Sequence, residues 1–287
     1  MDKRIDKAKD EYMKKISVIM GVYNCEKTLV EAIESLLQQT YDCWELIMCD
    51  DGSKDGTLKI AESYCKRFPD KIKLLKNEKN LGLNETLNRC LAEATGDYIA
   101  RMDGDDISLP TRFEVEAEFL DSHPNYSIVG TPMIMFDAEG DWGETKCIEK
   151  PQKKDFVFSP PVHCHATVMV RREAYMMVNG YTVDRRLLRY EDCNLWYKMY
   201  SKGYIGYNLK SPLYKMRDDR NAFKRRTFES RLRAVYVQWT GFNMYYMDIK
   251  YYPYLVVEFA KSVVVGLLPE RMYMSLHRKR QGANNDT

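Results

Sequence analysis

The chain has 287 residues, 45% of them hydrophobic, which suits one large α/β domain or two small ones around a substantial core. A formal net charge of only +2 argues against nucleic acid as a partner. The charge is uneven, because residues 1–209 carry 29 basic and 35 acidic side chains, whereas residues 210–287 carry 15 and 7. An acidic body with a basic tail predicts a surface contact through the tail.

The eight cysteines contain no C-x-x-C pair, so neither a zinc knuckle nor a redox motif is expected. The first 15 residues are charged throughout, unlike a signal peptide. We therefore expect free thiols in a reducing, cytoplasmic environment.

The first hundred residues alternate between two hydrophobic periodicities. Short apolar runs with strand character lie at residues 16–20, 45–49, 72–75 and 98–102. Between them, apolar residues recur at helical spacing in segments 28–39, 57–68 and 83–94. This alternation predicts βαβ units and a mostly parallel sheet flanked by helices, in which ligands bind beyond the carboxyl ends of the strands.

Three polar clusters lie at those strand ends. They are Val22, Tyr23 and Asn24 after the first strand, Asp50 and Asp51 after the second, and residues 103–106 after the fourth. The predicted topology therefore gathers several carboxylates along one rim of the sheet.

Beyond Met135 the hydrophobic pattern is looser. Residues 137–154 are polar and are predicted to form a loop, whereas residues 167–170 have strand character. Residues 191–202 are predicted to be helical, and residues 223–247 to contain at least one further helix.

The acidic segment after the second strand has two interpretations. Residues 51–56 (DGSKDG) with Glu62 match a calcium-binding EF-hand loop at several positions, but an EF-hand needs an entering helix and residues 46–49 have strand character. We favour a carboxylate that accepts a hydrogen bond from the imide N–H of uracil or thymine, while Tyr23 stacks on that base. A turn with helix-capping aspartates is the structural alternative.

Asp103, Asp105 and Asp106 place three carboxylates within four residues, where they repel one another unless a cation compensates. Such hard oxygen ligands suit Mg²⁺ or Mn²⁺, which bridge readily to substrate phosphates. Gly104 lets the backbone and a ligand approach closely. The alternative is a solvated acidic turn.

Two more candidates lie further along the chain. Glu191 and Asp192 start a helical stretch, where a carboxylate is either a general base or a first-turn partner of the helix dipole. His165 is either a phosphate-facing residue or a hydrogen-bonded core histidine. With no further Cys/His pair near His163 and Cys164, zinc is not expected.

Together these motifs resemble those of family 2 glycosyltransferases with the GT-A fold, over roughly residues 14–215. In chain order they are ISVIMGVYN at 16–24, CDDGSKDGT at 49–57, NLG at 80–82, YIARMDGDDISLP at 98–110, HATVMVR at 165–171, NGY at 179–181 and YEDCNLW at 190–196. The resemblance implies an α/β fold with a Rossmann-like, mostly parallel central sheet flanked by helices, followed by a C-terminal helical extension.

The resemblance also implies roles for individual residues. Asp51 would recognise a pyrimidine base, Asp103 and Asp105 would form a D-x-D motif with Asp105 as the main metal ligand, and Asp192, next to Glu191, would be the catalytic base. Arg101 would touch the diphosphate or order the acidic cluster. The full donor-binding set implied is Val22, Tyr23, Asn24, Asp50, Asp51, Asn80, Gly82, Arg101, Asp103, Gly104 and His165.

The reaction so implied is a metal-dependent, inverting transfer of a sugar from a nucleotide diphosphate sugar, with UDP favoured, to a glycan hydroxyl. A sugar nucleotidyltransferase and a non-catalytic calcium-binding module built on the loop at Asp51 are the two alternatives.

The C-terminal part contains an apolar run, YLVVEFAKSVVVGLL at residues 254–268. As a helix it extends about 22 Å, short of the ~30 Å hydrocarbon core of a bilayer. An amphipathic helix in the membrane interface fits better, with the basic segments 224–226 and 278–280 facing anionic headgroups. The alternative is a helix that packs back on the catalytic domain.

The sequence thus predicts a charged segment at 1–14, a catalytic domain at 15–220 and a basic, partly amphipathic extension at 221–287. An extension of this kind resembles enzymes that build bacterial surface polysaccharides on lipid-linked acceptors. It implies a location at the cytosolic face of the inner membrane.

Overall fold

The central sheet has seven strands, in a computed structural model that describes residues 13–218 and 227–267. The seven strands are β1 (Ile16–Val22), β2 (Trp44–Asp50), β3 (Ile72–Lys76), β4 (Tyr98–Arg101), β6 (Ile128–Gly130), β9 (Met169–Arg171) and β10 (Gly206–Asn208). Their order in the sheet is β10-β6-β9-β4-β1-β2-β3. Strands β1, β2, β3 and β4 pair in parallel, and β9 runs antiparallel to its neighbours β4 and β6.

Helices cover both faces of this sheet. They are α1 (Leu29–Leu37), α2 (Thr57–Arg67), α3 (Leu83–Glu93), α4 (Arg112–Ser122), α5 (Asp155–Phe158), α6 (Arg172–Met177) and α7 (Glu191–Ser201), followed by α8 (Phe228–Met244) and α9 (Tyr252–Leu267). The mostly parallel α/β architecture predicted from the alternating periodicities is confirmed.

Side-chain alternation along the strands divides the core into two layers. Ile19 and Ile47 point to the face covered by α3, where Leu87 belongs to the same cluster. Val18 and Leu46, one residue earlier on each strand, point to the opposite face. Successive residues of a strand face opposite sides, so a strand covered on both faces is apolar throughout.

A second, four-stranded sheet in the order β5-β11-β7-β8 lies beside the carboxyl end of β4. Its strands are β5 (Ile107–Ser108), β7 (Ile134–Asp137), β8 (Gly140–Glu144) and β11 (Tyr214–Arg217). The expectation of a loop at 137–154 was wrong over its first part, because β7 and β8 form an antiparallel hairpin there. Gly140 supports the turn with a φ of +121°.

Helix α8 packs on α7, and α9 packs on α8. A Cβ atom added to Gly241 of α8 would lie 2.2–2.5 Å from the ring of Tyr197, so only glycine permits this approach. Leu255 of α9 is 5% exposed and belongs to the main core cluster. Val256, Phe259 and Val264 of the same helix are at least half exposed. One face of α9 therefore packs back on the domain, as the structural alternative proposed, while another remains apolar and open.

No helix in the described part of the chain has both the length and the hydrophobicity needed to cross a bilayer. Helix α8 confirms the prediction of a helix within 223–247, although residues 223–226 lie outside the described residues. The basic segments 224–226 and 278–280 lie outside them as well.

Candidate active site

The three polar clusters meet at one rim because β1 lies between β2 and β4. Val22 is level with Asp50 on β2, and Ile19 is level with Arg101 on β4. A cavity of about 490 Å³ opens at this edge, lined by residues 21–28, Asp55, residues 103–105 and Arg217.

The loop after β1 is held by the segment that follows β2. Asn24 has a left-handed backbone with a φ of +50°, and its Oδ1 accepts a hydrogen bond from Lys54 N at 2.9 Å. Thr57 Oγ1 accepts another from Cys25 N at 2.8 Å. These contacts leave Tyr23 at the cavity with 44% of its surface exposed, so that its ring face is available for stacking.

Asp51 is buried and organises the loop after β3. Its Oδ1 accepts hydrogen bonds from Asn77 Nδ2 at 2.7 Å and Leu81 N at 2.8 Å, and its Oδ2 accepts one from Gly82 N at 2.9 Å. Gly82 has a φ of +92°, which lets the backbone turn its N–H toward the carboxylate. A carboxylate has about four acceptor positions, so Asp51 keeps capacity for one more donor.

Asp50 directly precedes Asp51 in the chain, and Asn80 directly precedes Leu81; the two residues differ in burial. Asp50 is 2% exposed; its Oδ2 accepts a hydrogen bond from Ser53 N at 3.2 Å, and its Oδ1 has no partner among the described residues. Asn80 is exposed.

The segment that resembles an EF-hand loop follows a buried parallel strand, which excludes the helix–loop–helix geometry that an EF-hand needs.

Asp103 is paired with Arg101. Nη1 of Arg101 donates to Oδ2 of Asp103 and Nη2 donates to Oδ1, both at 2.6 Å. The arginine side chain is 5% exposed and the aspartate side chain 30% exposed. A bidentate pair of this kind holds both carboxylate oxygens, so Asp103 is less available to a cation than Asp105.

Asp105 is the exposed carboxylate of the cluster. Loss of hydration against the surrounding protein raises the pKa of Asp105, and the negative charge of Asp103 raises it further. Asp106 is buried and accepts a hydrogen bond from Arg217 N at 2.8 Å. Burial, followed by the charges of Asp103 and Asp105, raises the pKa of Asp106 to about 8.

These three carboxylates fit a divalent cation. One oxygen from each of Asp103, Asp105 and Asp106 lies within 4.8 Å of the other two. Only oxygen donors are present, as Mg²⁺ and Mn²⁺ prefer, and after burial the negative charges of neighbouring carboxylates contribute to the raised pKa values of Asp105 and Asp106. Gly104 lies between them, and a Cβ there would come within 3.0 Å of Val22, so the loop packs directly on β1.

Glu191 and Asp192 form the first turn of α7, at the same rim. Burial, then the charge of Glu191, raises the pKa of Asp192 to about 6. Burial also raises the pKa of Glu191, and the positive charge of Arg101 opposes both shifts. Arg101 is therefore near enough to Asp103 and to the α7 carboxylates to act electrostatically on both groups.

His165 lies in a 3-10 turn and is half-buried. Its Nε2 is 2.8 Å from Tyr181 Oη, and burial followed by the charge of Arg101 holds its pKa well below the usual value. Neutral His165 and the rim carboxylates thus share Arg101 as a neighbour. His163 is fully buried between Asn208 and Tyr200, at 2.7 and 2.9 Å, and belongs to the core.

Arg217 is a cavity residue that the motifs did not indicate. It comes from β11, and its Nε donates to the carbonyl oxygen of Asp105 at 3.0 Å. The guanidinium also pairs with Glu31 and lies 4.4 Å from the ring centre of Phe136. Its only signal in the sequence is its place in the basic C-terminal region.

Comparison with known proteins identifies the family. The model of "Glycosyl transferase family 2" matches residues 17–178, more than half of the chain, and this protein belongs to that family. The resemblance predicted from the motifs is confirmed.

Two curated relatives illustrate the similarity. Putative glycosyltransferase EpsE of Bacillus subtilis is 43% identical over 266 residues, which cover 93% of this chain and 94% of that protein. An Escherichia coli protein named UDP-Glc:alpha-D-GlcNAc-diphosphoundecaprenol beta-1,3-glucosyltransferase WfgD is 37% identical over 134 residues, which cover 44% of this chain and 50% of that protein.

Two solved structures share the fold. S. aureus TarS 1-349 in complex with UDP superposes with a TM-score of 0.62 at 19% identity, covering 93% of this chain and 87% of that one. The mannosyltransferase PcManGT of Pyrobaculum calidifontis, in complex with GDP-Man and Mn²⁺, gives a TM-score of 0.61 at 16% identity, covering 93% and 80%. The GT-A fold predicted from the sequence is confirmed.

Proposed function

We propose that this protein transfers a sugar from a UDP-sugar, with inversion, to a hydroxyl of a lipid-linked glycan during bacterial surface-polysaccharide synthesis. The observation that carries the proposal is the meeting of three groups at one rim: the Asp51 carboxylate, the carboxylates of residues 103–106 and the half-buried acids Glu191 and Asp192 on α7. Family membership argues against the sugar nucleotidyltransferase and calcium-module alternatives.

The nucleotide binds between Tyr23 and Asp51 in this proposal. Tyr23 supplies an exposed ring for stacking, and the remaining acceptor position of Asp51 takes the imide N–H of uracil. Residues Val22, Asn24, Asp50, Asn80 and Gly82 shape the pocket around it. TarS, which shares the fold, was crystallised with UDP, and this supports the choice of donor.

The diphosphate is assigned to the acidic cluster with its cation. Asp105 is the main ligand, since it is exposed while Asp106 accepts a backbone hydrogen bond and Asp103 is paired with Arg101. Asp103 is the second candidate. These residues would hold Mn²⁺ or Mg²⁺, which would supply charge neutralisation to the leaving nucleoside diphosphate. Arg101 orders the cluster, and neutral His165 faces the diphosphate from the 3-10 turn that precedes β9.

Asp192 is assigned as the general base, with Glu191 beside it. A pKa of about 6 leaves Asp192 ionised at neutral pH yet more basic than an ordinary aspartate. It removes the proton from the acceptor hydroxyl as that oxygen attacks the anomeric carbon. The attack and the departure of the diphosphate are one displacement, so an α-linked donor gives a β-linked product.

The choice of acceptor rests on the names of relatives. WfgD is named for a diphosphoundecaprenol acceptor, and AmsE of Erwinia amylovora, 33% identical over 205 residues, is named for amylovoran biosynthesis. A lipid-linked acceptor requires access to a membrane. The outer face of α9, where Val257 is 48% and Val264 is 60% exposed, is the surface we assign to that peripheral contact at the cytosolic face.

A donor screen tests the proposed function. Thermal shift and hydrolysis are measured with UDP-, GDP- and dTDP-sugars in the presence of Mn²⁺. A shift and turnover confined to UDP-sugars are expected, whereas stabilisation by GDP-sugars alone would contradict the assignment of Tyr23 and Asp51. For the membrane contact, Val257→Asp with Val264→Asp should reduce flotation with anionic vesicles, and unchanged flotation would contradict it.

A further inference from the structure

The segment immediately before α7 is unusually rich in exposed arginine. Arg185, Arg186 and Arg189 are all exposed, within eight residues of the proposed base. Arg186 pairs with Asp184 at 2.6 Å, whereas Arg185 and Arg189 have no ion pair among the described residues. Two exposed arginines at the mouth of the site are thus available to an anion.

The backbone of this segment is strained at one of these arginines. Arg189 has a φ of +72°, a left-handed conformation that is costly for a residue with a side chain. It lies two positions before Glu191. Arg189 is exposed and lies directly before the first turn of α7 in the chain.

A small cavity joins this arginine segment to Glu191, the neighbour of the proposed base. It has a volume of about 130 Å³, and Arg185, Leu188 and Glu191 line it together with Leu81 from the loop that Asp51 organises. An acceptor bound there would have one end against Glu191 and the other against Arg185.

The same segment packs against α8. The guanidinium of Arg186 lies 4.7 Å from the ring centre of Tyr236, and Leu187 forms a buried cluster with Val237 and Cys193 of α7. Val235 and Trp239, on an adjacent face of α8, line a second cavity. The arginine segment and this second cavity are therefore neighbours across one helix.

The second cavity is an apolar groove of about 690 Å³ between α8 and α9. Trp239, Val256 and Phe259 line it and are 53%, 68% and 50% exposed. Ile249, at its end, is 87% exposed. An exposed apolar surface of this size is typical of a ligand-binding groove.

We propose that Arg185 and Arg189 bind the diphosphate, and the α8–α9 groove the hydrocarbon chain, of a polyprenyl diphosphate-linked glycan acceptor. This rests on the proposed function, for it gives that reaction's acceptor a binding surface. An acceptor of this class has a sugar, a diphosphate and an apolar chain in that order. On the protein, the α7 carboxylates, the two arginines and the α8–α9 groove follow one another in the same order.

Binding of farnesyl diphosphate to the full chain tests this assignment. Saturating UDP and Mn²⁺ are present throughout, so that the donor site is blocked. Affinity is measured by calorimetry and by the part of the tryptophan emission that Trp239→Phe removes. We expect a blue shift of that emission, and affinities about tenfold weaker for farnesol and for inorganic diphosphate, because each keeps only half of the recognition.

Three variants separate the parts of the surface. Arg185→Gln with Arg189→Gln should weaken farnesyl diphosphate about tenfold, as should Val256→Asp, whose exposed position tolerates a charge without unfolding. Arg67→Gln, an exposed arginine on α2, should change nothing. Bound UDP should keep its affinity in all of them.

Two outcomes would overturn the inference while leaving the proposed function standing. One is equal affinity for farnesyl diphosphate in every variant. The other is that farnesyl diphosphate does not bind, while Val256→Asp abolishes binding to anionic phosphatidylglycerol vesicles or to a second copy of the chain. Loss of UDP and Mn²⁺ binding by the unaltered chain would instead overturn the proposed function itself.

Discussion

Arg101 and Asp103, two residues apart at the end of β4, form a bidentate ion pair with both N–O distances at 2.6 Å. Asp105, two residues further on, is exposed and is not part of this pair. Residues of the same type within one motif therefore have different tasks: one compensates a buried arginine, and the other faces the cavity.

The first prediction compares the same substitution at these two positions. Asp103→Asn leaves the Arg101 guanidinium buried without a counter-charge, so unfolding in urea should become easier by about 3 kcal/mol. Asp105→Asn should change stability by no more than about 0.5 kcal/mol, as is usual at exposed positions, yet abolish Mn²⁺-dependent turnover. Equal stability of the two variants would show that the ion pair does not stabilise the fold.

Asp51 provides the second prediction. Asp51→Ala removes the acceptor of three hydrogen bonds, so amide exchange at Leu81 and Gly82 should accelerate. The loss of the base contact should weaken UDP binding about tenfold, because the lost bond is to a charged group. Asn80→Ala, at an exposed position in the same loop, is the control and should leave amide exchange at residues 81 and 82 unchanged.

The third prediction concerns pH. The pKa of Asp192 is raised to about 6, so kcat/KM should rise about tenfold per pH unit below pH 6 and level off above it. Because the folded-state pKa lies above that of the unfolded chain, the stability linked to the protonated form is lost as pH rises through about 6. Asp192→Asn should therefore gain stability relative to the unaltered protein above pH 6. A kcat/KM profile without a limb near pH 6 would contradict this assignment.

The fourth prediction tests how the C-terminal helices are docked. Gly241→Ala places a methyl group 2.2–2.5 Å from the Tyr197 ring, which must move. A loss of about 1–3 kcal/mol in unfolding free energy is expected from overpacking, together with faster proteolysis of α8 and α9. Gln238→Ala, one turn earlier on α8, serves as the matched control. Identical melting of the two variants would indicate that α8 does not pack tightly on α7.

The sequence predicted the first hundred residues well because the signal there is local. β1 to β4 and α1 to α3 each carry their own hydrophobic period, and parallel pairing then places residues 22–24, 50–51 and 103–106 at one rim. The motif at residues 190–196, in the order typical of the family, added Glu191 and Asp192 of α7 to the predicted site. The composition of the rim could therefore be predicted from the sequence alone.

Contacts between distant parts of the chain were not predictable in the same way. Arg217 reaches Asp105 across 112 residues, and no motif surrounds it. The β7–β8 hairpin was missed because its glycines resemble a loop and its pairing includes an irregular register between Met135 and Phe136. The packing of α8 and α9 depends on Gly241 of α8 meeting Tyr197 and on Leu255 of α9 joining the main core cluster, which the apolar run alone does not reveal.

Asp192→Asn tests the central claim most directly. UDP release and glycan formation are measured with a UDP-sugar, Mn²⁺ and bacterial polyprenyl-linked glycans as acceptors, alongside UDP binding by calorimetry. We predict that transfer falls by about 10²–10⁴-fold, the usual contribution of a general base, while UDP and Mn²⁺ affinities are retained. Near-normal transfer by the Asp192→Asn enzyme would contradict this account.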